Sequence, residues 1–376
     1  MSYTVAVIGV GPGREVDISG RAHSWAYHHA DAYAARSDCS IVAAVDLVEE
    51  YATTFAEEFD VPEDGIFTDH REMLEAVEPD VVSVVTPIPT HAPLVIDCAR
   101  AGVAAVHCEK PMARTWAEAR AMYHECDRAG TQLTIAHQRR FAEQVIEAKR
   151  LLDAGEIGTL RRVETSWGNF FDNGTHVVDV AGKLVDEARG AWVIGQIDYT
   201  IDHVRYGVPH AQHAFMSWQY ENGVHGISST GDASLLPGDG PYEFNIYDGF
   251  LRLIGTTGEL EILETAPGLR IRQDGADWSS IEVDPELLAL VDQGVDAAVD
   301  ALASGEPTEL RAANALNTAE ILFAGHESSR RRGRVDLPLT GVYDHPLESL
   351  LDAGELAPTI EDDRPPHPAD VRSDSR

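Results

Sequence analysis

Positive charge is scarce in this 376-residue chain, and lysine is scarcest of all. Lys110, Lys149 and Lys183 are its three lysines, so arginine supplies 26 of the 29 cationic residues. Against 63 Asp and Glu they leave a formal net charge of −34. Phosphate backbones and anionic membranes would repel such a chain, which argues against nucleic acid and membrane partners. Cysteine is also rare. Cys39, Cys98, Cys108 and Cys126 form no C-x-x-C pair, so neither a zinc site nor a disulfide framework is signalled. No apolar run approaches the ~20 residues of a membrane span. No basic segment precedes the first expected strand at Tyr3. A soluble cytoplasmic protein is expected.

The acid is spread along the chain rather than gathered in one tail. With so little lysine, this composition resembles that of proteins from salt-in halophiles; an ordinary acidic cytosolic protein is the alternative. High salt would screen the self-repulsion. The halophile reading expects the Tm to rise from dilute buffer to molar KCl, and an unmoved Tm counts against it.

What is present begins with a regular alternation. Short apolar runs fall at residues 4–9, 41–45, 81–85, 103–106 and 133–136. Helical patterns fill the gaps at 51–59, 71–77, 93–101 and 116–129. Such alternation predicts a doubly wound parallel α/β sheet, with ligands at the carboxyl ends of the strands. Gly9, Asp46, Thr86 and the pair Glu109-Lys110 stand at those ends. From residue 141 a helix leads into short runs of period two, at 160–167, 213–220, 224–229, 242–247, 250–254 and 259–263. They predict a largely antiparallel sheet in a second, α+β domain. A late helix, 314–331, precedes a proline-rich acidic tail whose end reads as disordered. The expected division is 1–138, 139–340 and 341–376.

Three clusters carry chemistry. Gly9-x-Gly11 after a strand suits a phosphate loop. Asp46 at the next strand end can take both ribose hydroxyls of an adenosine and would repel a 2′-phosphate. No arginine follows in Leu47-Val48-Glu49-Glu50, which favours NAD, with NADP still open. The interval from Gly9 to Asp46 is long, so residues 12–25 read as an insertion at the mouth of that loop. Its Arg14 and Arg21 could reach a pyrophosphate. The third small residue of the motif is then Ala26, or else Gly13 or Gly20. Second, Cys108-Glu109-Lys110-Pro111 places a lysine where an ammonium of adjustable pKa can serve chemistry; a solvent-exposed strand end is the plainer reading. Third, Asp172-Asn-Gly-Thr-His176 opens a helix that Thr175 could cap. His176 has the near-neutral pKa that acid–base work needs, and Asp172 could orient it or merely close a turn with it.

Together with His29-Ala-Asp-Ala-Tyr33, Thr86-Pro-Ile-Pro-Thr-His91, His137-Gln-Arg-Arg-Phe141, Asp179 and the closing Glu327-Ser-Ser-Arg-Arg-Arg-Gly and Val335-Asp-Leu-Pro, these clusters resemble the glucose–fructose oxidoreductase, inositol dehydrogenase and rhizopine-catabolism (Gfo/Idh/MocA) family. The resemblance implies a Rossmann domain followed by a large open, mostly antiparallel sheet on which subunits pair as dimers or tetramers. It implies hydride transfer between NAD or NADP and a secondary alcohol or ketone of a sugar, sugar acid or cyclitol. Carried onto this chain, Lys110 would bond the reacting oxygen, His176 would exchange its proton and Asp172 would hold the pair. Gly9, Gly11, Ala26, Asp46, Thr86, Pro87, His91 and Glu109 would line the cofactor, with Arg139 and Arg140 near the substrate side or bracing the domain junction. No metal is implied. Gln138 stands where the family often has asparagine, and the loop before Asp172 is short, so the substrate is not inherited from any one member. A hydrolase or lyase with transient oxidation, and a non-catalytic sugar sensor, are the alternatives.

Overall fold

The computed structural model describes residues 2–13, 25–202, 204–211, 213–230, 250–263, 267–283 and 289–361. The first domain interleaves β1 (Tyr3–Ile8), α1 (Trp25–Ala35), β2 (Cys39–Val45), α2 (Glu49–Glu58), β3 (Ile66–Phe67), α3 (His70–Val77), β4 (Val81–Val84), α4 (His91–Ala101), β5 (Ala105–Cys108), α5 (Trp116–Ala129) and β6 (Gln132–Ile135). The strands pair in parallel in the order β3-β2-β1-β4-β5-β6. The order reverses beside β1, which opens the crevice where such sheets bind ligands. The expected strands are all present, and the two-residue β3 is an addition the apolar pattern did not show. Local chemistry fixes the helix ends. Thr115 and Glu118 form a reciprocal capping box at the start of α5, and Gly130 ends it in the left-handed conformation at φ +76°.

The second domain runs through α6 (Glu143–Asp153), β7 (Arg162–Trp167), α7 (Gly174–Leu184), β8 (Gly190–Asp198), the short β9 (Ile201–Asp202), β10 (Val204–Arg205) and β11 (Val208–Pro209), then β12 (His213–Tyr220), β13 (His225–Thr230), β14 (Phe250–Ile254), β15 (Gly258–Leu263), β16 (Gly268–Gln273) and β17 (Ser279–Glu282). It ends with α8 (Ala289–Ser304), α9 (Ala312–Arg331), β18 (Val335–Asp336), α10 (Pro346–Asp352) and β19 (Ile360–Glu361), which pairs in parallel with β9. Nine strands form one sheet among the described residues, ordered β17-β16-β15-β14-β7-β13-β12-β8-β18. Its pairs are antiparallel except β7 with β13. α9 lies on one face at very close range: a Cβ on Gly195 of β8 would come within 2.7 Å of the Gly325 carbonyl oxygen. Only a glycine there lets backbone meet backbone.

Three expectations change. The strands β8, β16 and β17 and the helix α8 did not stand out in the sequence. The expected division at 138/139 is crossed by α8, which returns to the first domain. Its Val295 and Val299 pack with Val5, Tyr33, Val81 and Ala105, while Asp296 and Asp300 pair with Arg36 at 2.7 Å. The start of the expected tail is also folded: Val342, His345 and Leu347 are buried, and Arg114 pairs with Glu348 at 2.8 Å. The expected strand at 242–247, most of the 12–25 insertion with Arg14 and Arg21, and the last residues of the tail lie outside the described residues.

Candidate active site

The strand ends define the floor of the site. Gly9 follows β1 at φ +88°, and a Cβ there would lie 2.5 Å from Thr86 Cγ2 and 2.6 Å from the Val85 carbonyl oxygen. The turn into the loop therefore requires glycine. Gly11, also left-handed at φ +70°, donates its N–H to Asp46 Oδ2 at 2.9 Å. Asp46 Oδ1 accepts the N–H of Val48 at 3.0 Å. The carboxylate is thus fixed at the end of β2 against the glycine turn, with further lone pairs for an incoming hydroxyl. Ala26, in the first turn of α1, is fully buried beside Val7, Val10 and Ala44, where a small side chain lets helix and sheet approach closely. This turn, acid and helix start fit a dinucleotide.

Two residues expected to line the cofactor make their hydrogen bonds to the protein itself. Glu109 turns inward, with Oε1 3.1 Å from His29 Nε2 and Oε2 accepting the N–H of Lys110 at 3.0 Å. Burial opposes its charge, but His29 and Lys110 hold its pKa below the ordinary value. His91 is fully buried, its ring nitrogens 2.8 Å from the Thr86 carbonyl oxygen and 3.0 Å from that of Pro111. Both residues therefore brace the backbone of the strand ends. Thr86 is half-buried and Pro87 exposed at the end of β4.

Lys110 leaves β5 through a cis peptide to Pro111 and meets the second domain. Its Nζ donates to Asp172 Oδ1 at 2.7 Å. Asp172 has no exposed surface, and its other oxygen, Oδ2, lies 2.7 Å from Arg205 Nε. Burial alone would raise the Asp172 carboxyl, but the Lys110 and Arg205 charges outweigh it and hold it well below the usual carboxylate range. Asp172 is thus the anchor of two cations, and the expected bond from Asp172 to His176 is not among those the structure forms.

His176 enters on α7, which starts at Gly174; Thr175 does not cap that helix but bonds His137 Nε2 at 2.9 Å. The His176 ring lies 5.5 Å from that of Trp167 and 5.8 Å from that of His137, and its Nδ1 has no hydrogen-bond partner. Burial, then the charges of Lys110 and Arg139, push its pKa well below the ordinary imidazole value, so it is neutral at neutral pH. The Arg139 guanidinium stands 4.0 Å from the centre of the Trp167 ring. Arg140, by contrast, is buried under α7, where it pairs with Asp179 and Glu187, and Lys183 donates to its carbonyl oxygen at 2.8 Å. Asp179 also faces His137 Nδ1 at 3.2 Å. Arg205 is the residue that sequence reasoning missed. It sits in a short hairpin with no periodicity, and nothing in the sequence links it to Asp172. Among the described residues, no group of three or more His, Cys, Asp or Glu could hold a metal ion.

A glycine turn, a fixed acid and a helix start at the switch point of a parallel sheet define a dinucleotide-binding protein. Residues 3–137 match the oxidoreductase family with an NAD-binding Rossmann fold, Gfo/Idh/MocA. Over 145 residues it is 34% identical to D-apiose dehydrogenase of Paraburkholderia graminis, covering 39% of this chain and 38% of that one. Over 180 residues it is 31% identical to D-glucoside 3-dehydrogenase of Escherichia coli, covering 44% of this chain and 50% of that one. The chain therefore spans half or less of the length of these two relatives. Among solved structures, an inositol dehydrogenase homologue from Azotobacter vinelandii, complexed with NADH and myo-inositol, superposes with a TM-score of 0.71 at 19% identity over 89% of this chain and 97% of that one. That likeness shows the fold.

Proposed function

We propose that the protein is an NAD-dependent oxidoreductase acting on a secondary alcohol or ketone of a sugar, sugar acid or cyclitol. The observation that carries this reading is the junction of the two domains. There the Lys110 ammonium, anchored by buried Asp172, stands with neutral His176 at the carboxyl ends of the Rossmann strands. When bound, the nicotinamide supplies or accepts the hydride. Lys110 donates a hydrogen bond to the reacting oxygen and stabilises the negative charge that develops there. His176, kept neutral by burial, accepts the hydroxyl proton in the oxidation direction. Trp167 and the surrounding burial exclude water. The relatives named dehydrogenases of apiose and a glucoside support a polyol substrate. A panel of sugars and polyols with NAD and with NADP, in molar KCl and read at the nicotinamide absorbance, tests the reading; no net reduction with any of them would remove it.

The same reading assigns Gly9, Gly11, Ala26, Asp46, Thr86 and Pro87 to the cofactor and Arg139 to the substrate side. NAD is expected to be preferred, because Asp46 is already fixed by two backbone N–H groups and no arginine stands at 47–50 to meet a 2′-phosphate. Asp46→Ser should narrow the kcat/KM ratio between NAD and NADP; a parent enzyme with the higher kcat/KM for NADP overturns the preference. Pairing of subunits through the second sheet belongs to the same proposal, supported by Ile194 and Phe215 on β8 and β12, which are 45% and 42% exposed.

A further inference from the structure

Asp172 carries one charge, and Lys110 alone would balance it. Arg205 is the second cation on that carboxylate, and its placement is built. It comes from the β10–β11 hairpin, where Arg205 pairs with Val208 across a turn of Tyr206 and Gly207. Tyr206 adopts φ +49°, a left-handed conformation uncommon for a bulky side chain. Residues held this way cluster where geometry serves a site. The Arg205 guanidinium lies 5.0 Å from the centre of the Tyr206 ring, and its Nη2 donates to Tyr206 Oη at 3.4 Å. The arginine is thereby fixed from behind, 13% exposed, with Nε 2.7 Å from Asp172 Oδ2. Lys110 takes the opposite oxygen, Oδ1, at the same distance of 2.7 Å.

We propose that Arg205 is a positioning residue that divides the Asp172 carboxylate: by holding Oδ2 it confines Lys110 to Oδ1 and leaves an ammonium hydrogen free for the reacting oxygen. The inference rests on the role given to Lys110 above. An ammonium has three donor hydrogens; one is committed to Oδ1 at 2.7 Å and a second reaches the Asp172 carbonyl oxygen at 3.4 Å, which leaves one. Without Arg205, the buried carboxylate turns both oxygens toward its remaining cation. Lys110 is then drawn onto Asp172 and loses a like charge from its surroundings, so it holds its proton more firmly. The substrate oxygen loses a donor in the same change. A purely structural arginine would affect folding and cofactor binding but not the behaviour of the Lys110 amine.

The chain has only three lysines, which makes a direct test practicable. Competitive acetylation followed by peptide mapping gives the pH dependence of each amine separately. In Arg205→Gln the Lys110 midpoint should rise by about half a pH unit or more, while Lys149 and Lys183 stay as internal controls. Arg205→Lys, which keeps the charge, should restore the midpoint. Turnover in Arg205→Gln should fall ~10-fold or more with the Kd for NAD unchanged. An unmoved Lys110 midpoint in Arg205→Gln overturns the proposal. If that variant no longer binds NAD, Arg205→Lys decides: a midpoint displaced from the parent's overturns it as well. The labelling needs no turnover. A shifted midpoint in a protein that oxidises nothing would therefore sink the proposed function and leave this arrangement standing, and turnover with a fixed midpoint would do the reverse.

Discussion

Lys110→Ala and His176→Ala should each lower turnover by ~10²–10⁴-fold while leaving NAD binding nearly intact. In the proposed mechanism the two variants act on one proton transfer but for different reasons. Lys110→Ala removes the donor proposed to meet developing charge on the substrate oxygen. It does not strand a buried anion, because Asp172 keeps Arg205 at 2.7 Å from its other oxygen. The fold should therefore survive, and the loss should fall on kcat rather than on cofactor affinity. His176→Ala removes a buried neutral imidazole whose Nδ1 bonds to nothing described, so no hydrogen-bond network is broken with it. Asp172→Ala differs, since it leaves two cations facing each other across an empty position and should cost stability as well as rate. Single-turnover rates with saturating NAD, beside the NAD Kd from fluorescence titration, check both variants. Near-native turnover in either one removes that residue from the proton transfer.

The parallel sheet was legible because its strands are buried on both faces and read as continuous apolar runs ending in glycine, aspartate, threonine or lysine. Period two was equally plain at β12 and β14, where inward and outward residues alternate cleanly. It failed at β8, where Gly190 and Gly195 dilute the pattern, and the structural reason is the close seat of α9 on that strand. It also failed at the domain boundary. Nothing in the sequence of α8 says that its apolar stripe belongs with Val5 and Tyr33, at the other end of the chain. The site divided in the same way. Lys110, Asp172 and His176 could each be picked out as chemistry-bearing types at strand or helix ends. Which one Asp172 holds could not, because that depends on where the second domain docks. Local spacing favoured His176, four residues on, yet the carboxylate turns to Lys110, 62 residues away. His91 and Glu109 show the limit most clearly. Glu109 follows β5 and His91 opens α4, but the partners of their side chains, His29 and backbone groups of Thr86, Lys110 and Pro111, could not be read from spacing.

Stability should fall steeply as pH drops from about 6.5 toward 5, with little change above neutrality. Burial pushes His107 down to about 3, and His210 and His326 to about 4. His345, 4.9 Å from His326 and with neither ring nitrogen bonded, is pushed well below the ordinary value too. In the unfolded chain each would titrate near ~6.5. Between that value and about 4 the unfolded chain binds protons that the folded chain refuses, so protonation pulls toward unfolding. The contribution is complete above the unfolded pKa and is lost as pH falls below it. Each refused proton costs up to about 1.4 kcal/mol per pH unit, so these four histidines set a scale of about 5 kcal/mol per unit. One effect opposes this. With a net charge of −34, protonating surface carboxylates relieves repulsion. Those groups titrate near ~4, however, and salt screens their repulsion, so the histidines dominate above about pH 5. Asp172 and Asp179, whose pKa values their cationic partners hold low, extend the loss below that range. Melting curves in molar KCl from about pH 7.5 to 5 measure the effect, and His326→Leu should shallow the slope by roughly one proton. A Tm that stays level across that interval would show that the buried histidines take up protons without unfolding the chain.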